Sequence, residues 1–128
     1  MQITMFTADC TGQAANCSYP NRRVVTTPEE MQKAVRFDHV CAEYKGNYRS
    51  IGNFTRSDVV VMDIDNDHTE NPAEWITPEK LDELLPDISY VIAFSRNHMK
   101  VKDGKGATPK FHVYFQITET TDSGWYAA

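Results

Sequence analysis

Cysteine is sparse and odd in number: Cys10, Cys17 and Cys41 are the only three in 128 residues. That count argues against the paired disulfide framework of a small secreted domain. No apolar run approaches the roughly 20 residues a membrane helix needs. The opening MQITMFTADC has neither the basic n-region nor the apolar h-region of a secretory signal. The expectation is a soluble intracellular protein without a membrane partner. A glycine-rich phosphate loop is also missing, because Gly104-Lys105-Gly106 lacks the Walker spacing. No Ser-His-Asp or Cys-His triad is arguable. Positive charge is in deficit overall, with a net charge of −5, the wrong sign for a nucleic-acid partner when taken whole.

What is present fits a folded chain. Apolar residues make up 41% and aromatics 11%, enough for a core and too much for a disordered segment. The length suits one domain over residues 1–128. The charge is strongly partitioned. Ten acids between Asp58 and Asp87 face Lys80 alone, whereas Arg96, Lys100, Lys102, Lys105 and Lys110 face only Asp103. An acidic stretch beside a basic one suits a phosphate-bearing substrate, and a solvated charged surface is the plain alternative.

Helix-start signals occur twice. Thr27-Pro28-Glu29-Glu30 supplies an N-cap, a first-position proline and a capping-box acid. Met31, Ala34 and Val35 then recur at helical spacing, predicting a helix from Pro28 to about His39. Thr77-Pro78-Glu79 repeats the opening, with Leu81, Leu84 and Leu85 on one face and a stop at Pro86. Strands are expected at Ile3–Thr7, Arg23–Thr26, Asp58–Asp65, Tyr90–Ser95 and Lys110–Ile117, with Lys100–Pro109 as the loop of a hairpin. The order implies an α/β (α+β) sandwich with helices on one face of a mixed or antiparallel sheet.

The most informative segment is Val59-Val60-Val61-Met62-Asp63-Ile64-Asp65-Asn66-Asp67. It reads as a buried apolar strand delivering carboxylates at its end. Strand alternation puts Val59, Val61, Asp63 and Asp65 on one face and Val60, Met62 and Ile64 on the other. Ionised carboxylates held close together repel unless a cation lies between them. A hard divalent ion such as Mg²⁺ or Mn²⁺ is the usual reason to hold them so. The last strand alternates too. Phe111, Val113, Phe115 and Ile117 fall on a core face, and Lys110, His112, Tyr114 and Gln116 on the opposite one. Lys and His on an open face suit phosphate oxygens, although a merely solvated sheet face has the same pattern. His98 is a second candidate for the same role, at a strand end.

An apolar strand ending in Asp63-x-Asp65, with a later strand Lys110-Phe111-His112-Val113-Tyr114-Phe115, resembles the archaeo-eukaryotic primase superfamily. Asn66-Asp67-His68, Asn71-Pro72, Trp75-Ile76-Thr77-Pro78 and Ser95-Arg96-Asn97-His98-Met99-Lys100 are similar, more closely, to primase-like replication proteins of phages and bacterial mobile elements. The resemblance implies an RNA-recognition-motif-like sheet with an active site on its open face. It implies that Asp63 and Asp65 bind Mg²⁺ or Mn²⁺ and that His112 contacts an incoming nucleotide; Asp67, close by in sequence, is a candidate extra acid for the metal. Charge and position add Arg96 and Lys110 as triphosphate contacts. The implied reaction is nucleotidyl transfer from nucleoside triphosphates on a nucleic-acid template, in the cytoplasm of a bacterial host.

One departure stands out. The family's third acidic motif has no match, since only Glu119 and Asp122 follow the His strand and neither lies in an apolar strand context. The expectation divides. Either the chain is the front part of a longer primase, or it is a shortened relative that binds a protein or nucleic acid without catalysis, such as an inhibitor of a host defence system.

Other readings compete. Asp63, Asp65, Asp67, Thr69, Asn71 and Glu74 stand at calcium-loop positions, but the turn glycine is His68 and Pro72 interrupts the loop. Cys10, Cys17, His39 and Cys41 are a candidate zinc set whose spacing matches no common finger, and small buried cysteines are the ordinary explanation. Trp75 and Phe94 are expected in the core. Tyr44, Tyr48 and Phe54, interleaved with Lys45, Arg49 and Arg56, suit either single-stranded template or an aromatic turn packed on the sheet.

Overall fold

The computed structural model describes residues 1–101 and 106–127. The fold is mixed α and β, with two antiparallel sheets and a few short helices. Backbone contacts divide it into two compact units, Met1–Val60 with Gln116–Ala128, and Val61–Phe115.

In the first unit, β1 (Ile3–Thr7) is the middle strand of three, between β2 (Asn21–Val25) and β3 (His39–Val40). Ile3 stands opposite Val25, and Phe6 opposite Val40. Ile3 and Met5 are 1% and 0% exposed, as the alternation requires of a strand with a covered face. Phe6, Ala8 and Tyr19 form a further buried cluster.

Helix α1 (Pro28–Ala34) starts as expected, with the Thr27 hydroxyl accepting the Glu30 amide at 3.2 Å. The Glu30 carboxylate accepts from the hydroxyls of Thr26 and Thr27, and these bonds lower its pKa from the usual value. The helix stops at Ala34, well before the expected His39, because His39 and Val40 are drawn into pairing with β1. Strand pairing to a buried neighbour outweighs the weak local preference for another helical turn.

The second sheet runs in the order β4-β5-β7-β6, comprising Glu43–Tyr44, Phe54–Ile64, Phe111–Thr120 and Val91–Phe94. β6 and β7 form the expected antiparallel pair, from Val91 opposite Tyr114 to Phe94 opposite Phe111. Part of the loop expected between them, at 102–105, lies outside the described residues. The second unit's core is Ile64, Leu81, Phe111 and Val113, flanked by Ile76, Leu85, Tyr90, Ile92 and Phe115. Each fully buried side chain there contributes about 1.5–3 kcal/mol. Helix α2 (Pro78–Leu84) is capped by Thr77 and inserts Leu81 into this core.

Several expectations need correction. Val60, Val61 and Met62 are 36%, 40% and 45% exposed, so β5 is not buried throughout. Val59 and Ile64 anchor the strand, and Val60, Val61 and Met62, three of the four residues between them, are uncovered on both faces. Leu84 and Phe94 are 57% and 58% exposed rather than in the core. Lys110 and Tyr114 are buried, so the expected polar face of the last strand is closed at those two positions, while His112 is half-buried and Gln116 exposed. Residues 123–127 form a short helix, α3 (Ser123–Ala127), capped by Asp122 through the Trp125 amide.

Candidate metal and nucleotide site

The end of β5 and the start of β7, neighbouring strands of the four-stranded sheet, bring two of the expected groups together. His112 Nε2 lies 3.4 Å from Asp63 Oδ1, and the side chains are 38% and 70% exposed. This is an ion pair only while the imidazole carries its second proton. Both groups are accessible to an incoming ligand. The His112 ring also meets Tyr114 edge-on, at 6.3 Å between centroids, which restricts its orientation.

Just beyond the strand, Asn66 turns the chain. It adopts a left-handed conformation, φ 57°, and is 2% exposed. Asparagine tolerates that region better than other residues bearing a Cβ. Its side-chain amide donates to the carbonyls of Ile76 and Pro109, each at 2.9 Å, and its oxygen accepts the Ile76 amide at 2.7 Å. Nothing but an Asn in an acidic run signals this clip in the sequence, and Asn66 was not among the expected site residues. Thr108, buried, also donates its hydroxyl to the Asp65 carbonyl at 2.8 Å.

Asp65 presents an exposed carboxylate that accepts the Asp67 amide at 3.1 Å. Asp67 is held differently. The Lys110 ammonium lies 2.7 Å from its carboxylate and 3.1 Å from the Asp65 carbonyl. Lys110, 8% exposed, therefore braces the acidic turn. His98 is part of the same bracing: its Nδ1 accepts the Lys110 amide at 3.1 Å, and its ring lies 4.5 Å from that of Phe94. A nitrogen accepting that bond carries no proton, so the neutral ring bears its hydrogen on Nε2. Arg96 lies exposed in the turn at 96–99.

The remaining candidates are dispersed. Glu119 lines a polar cavity of about 150 Å³ with Thr4, Arg22, Glu43, Arg56 and Asp58. Cys10 Sγ lies 3.8 Å from Asp38 Oδ2, Cys17 Sγ lies 3.8 Å from the Ala15 carbonyl, and His39 Nδ1 lies 2.9 Å from the Phe37 carbonyl. Burial, reinforced by the nearby Asp58 charge, pushes the Cys41 thiol up to about 12. Among the described residues, no three His, Cys, Asp or Glu side chains are gathered to hold a metal ion, whether zinc set or calcium loop. Asn71 and Glu74, two of the calcium-loop positions, are spent on each other at 3.1 Å.

Mg²⁺ keeps several waters and is often held by one or two carboxylates together with substrate phosphates. Asp63 and Asp65 both carry exposed carboxylates. No family model, curated protein or solved structure matches the chain.

Proposed function

We propose that the chain is a primase-polymerase-like domain that binds a nucleoside triphosphate with a divalent ion at Asp63, Asp65 and His112. The observation carrying this reading is the approach of Asp63 and His112 to 3.4 Å, with both side chains accessible. An acid and an imidazole on adjacent strands can address the two components of such a ligand. The carboxylates of Asp63 and Asp65 would hold the cation, and the His112 imidazole would donate to a phosphate oxygen. When bound, the ion would neutralise phosphate charge for nucleotidyl transfer. The proposal includes a recognition-motif-like sheet, a nucleic-acid template and a cytoplasmic setting.

A second reading rests on Lys110 and Asp67. Their mutual pairing at 2.7 Å occupies a cation and an acid that the catalytic reading would use on phosphate and metal. That favours a primase-like fold retained for binding a protein or nucleic acid, with an inhibitor of a host defence system as one case.

Isothermal titration of the chain with Mn²⁺ and ATP, beside Asp63→Ala, Asp65→Ala and His112→Ala, tests the first reading. Metal-dependent nucleotide binding that weakens in all three variants supports it. A folded wild-type chain that binds no nucleotide overturns it in favour of the second.

A further inference from the structure

The segment from Tyr44 to Thr55 carries Lys45 and Arg49 and no acid, within a chain of net charge −5. In the first unit this segment and α3 enclose a cavity of about 290 Å³, lined by Tyr44, Arg49, Ile51, Phe54, Ser123 and Tyr126, among others. Phe54 stacks on Tyr126 at 4.9 Å between centroids and 28° between planes, and meets Tyr44 edge-on at 6.3 Å. The three rings are half-buried, and burial raises the pKa of both tyrosines, so the cavity has neutral aromatic walls. Ile51, one of the lining residues, is 96% exposed, apolar surface that the fold itself does not cover. Arg56, the other nearby cation, is paired with Glu43 at 2.7 Å. The Asp122 carboxylate next to α3 is engaged in capping it.

We infer that this cavity takes an unpaired base of a single-stranded nucleic acid, with Arg49 and Lys45 meeting the adjoining phosphates. Its volume lies at the small end of the roughly 300–1,000 Å³ range of ligand clefts, which suits one planar ring system rather than a larger ligand. Aromatic walls with a cationic rim are the combination by which single strands bind with little sequence preference. A purely apolar protein segment would leave Arg49 and Lys45 without a counter-charge. A negatively charged backbone supplies one at regular spacing. The inference uses neither Asp63 nor His112; it rests on the proposed function only for the class of ligand, and its failure would leave the metal and nucleotide site untouched.

The test is fluorescence anisotropy of a labelled oligothymidylate strand, run in EDTA so that no metal-dependent site contributes. Its abasic counterpart keeps the phosphates and loses the bases. We expect the abasic strand to bind about tenfold more weakly, and Tyr44→Leu or Tyr126→Leu to weaken the normal strand by a similar factor. Arg49→Ala is expected to weaken both strands and flatten the salt dependence. Circular dichroism and thermal melting confirm that each variant is folded, and leucine keeps the apolar bulk. Equal binding of both strands, or leucine variants that are folded and bind like wild type, overturns the inference. So does a wild-type chain that ignores the strand but binds an aromatic-rich peptide, which would make the cavity a protein-docking site.

Discussion

The Lys110 ammonium sits 2.7 Å from the Asp67 carboxylate, the two side chains being 10% and 30% exposed. It also lies 3.1 Å from the Asp65 carbonyl. A lysine so enclosed holds its turn together. Removing one member of a buried pair leaves the other charge uncompensated. Lys110→Ala is expected to destabilise the chain by about 2–4 kcal/mol, somewhat less than complete burial of both ions would give. Urea unfolding measures this, and Asp67→Asn in the same background should add less than its separate cost. A Lys110→Ala chain as stable as wild type that loses nucleotide binding would assign Lys110 to phosphate instead.

Asn66 provides a second check on the same turn. Its amide makes three hydrogen bonds, and its backbone is left-handed. Asn66→Ala forfeits the bonds and adds a conformational penalty, for an expected loss of about 3–4 kcal/mol. Asn66→Gly forfeits the bonds but relieves the backbone, so it should be the milder change by about 1 kcal/mol. Chemical denaturation of the pair tests the order. The reverse order would mean that the backbone conformation has no part in closing the loop.

The contrast between Asn66 and Thr27 shows what the sequence reveals and what it hides. Thr27 and Thr77 announce their helices because a cap acts on residues three positions away, and both caps form where expected. The five expected strands form for the same reason, since alternation is a local property. The end of α1 was not legible, because His39 and Val40 answer to β1, more than thirty residues earlier. β4 was missed as well: two residues carry no period. At the candidate site, Asp63 and His112 were legible as polar positions on apolar strands. The pairing of Lys110 with Asp67 spans 43 residues, and nothing near either predicts it. The Asn66 contact to Pro109 spans as many, which is why the turn's own clip went unseen.

Cys41 predicts a pH dependence. Its thiol is 6% exposed, and burial followed by the Asp58 charge raises its pKa from 9.0 to about 12. Above pH 9 the unfolded chain releases this proton while the folded chain keeps it. The associated stability is therefore complete below pH 9 and is lost progressively as pH rises toward 12. Tyr44, Tyr90 and Tyr126 are shifted in the same direction from 10.0, so Cys41→Ala should reduce the alkaline loss without abolishing it. Thermal melting from pH 8 to 10.5 measures the effect. At neutral pH a thiol reagent should modify the half-exposed Cys10 and Cys17 while leaving Cys41 protected. Rapid labelling of Cys41 in the folded chain would contradict both statements.

The apolar run of β5 yields a last expectation, because its members look alike in sequence and differ in exposure. Val59 is 0% exposed, whereas Val61 and Met62 are 40% and 45% exposed. Lysine at Val59 would bury an unpaired ammonium and also lose the valine's packing. Val59→Lys is therefore expected to cost more than about 4 kcal/mol or to prevent folding. Val61→Lys and Met62→Lys place the charge in water and should change stability by no more than about 0.5 kcal/mol. Val59→Ala, costing about 1–3 kcal/mol, supplies a folded reference on the buried side. Denaturation midpoints for the four variants decide the matter. If Val61→Lys proves as damaging as Val59→Lys, the strand is covered along its length and the buried apolar strand expected from the sequence is restored. If it is tolerated, the residues leading to Asp63 are free surface. The carboxylate then stands at the end of an exposed strip rather than in the mouth of a closed core.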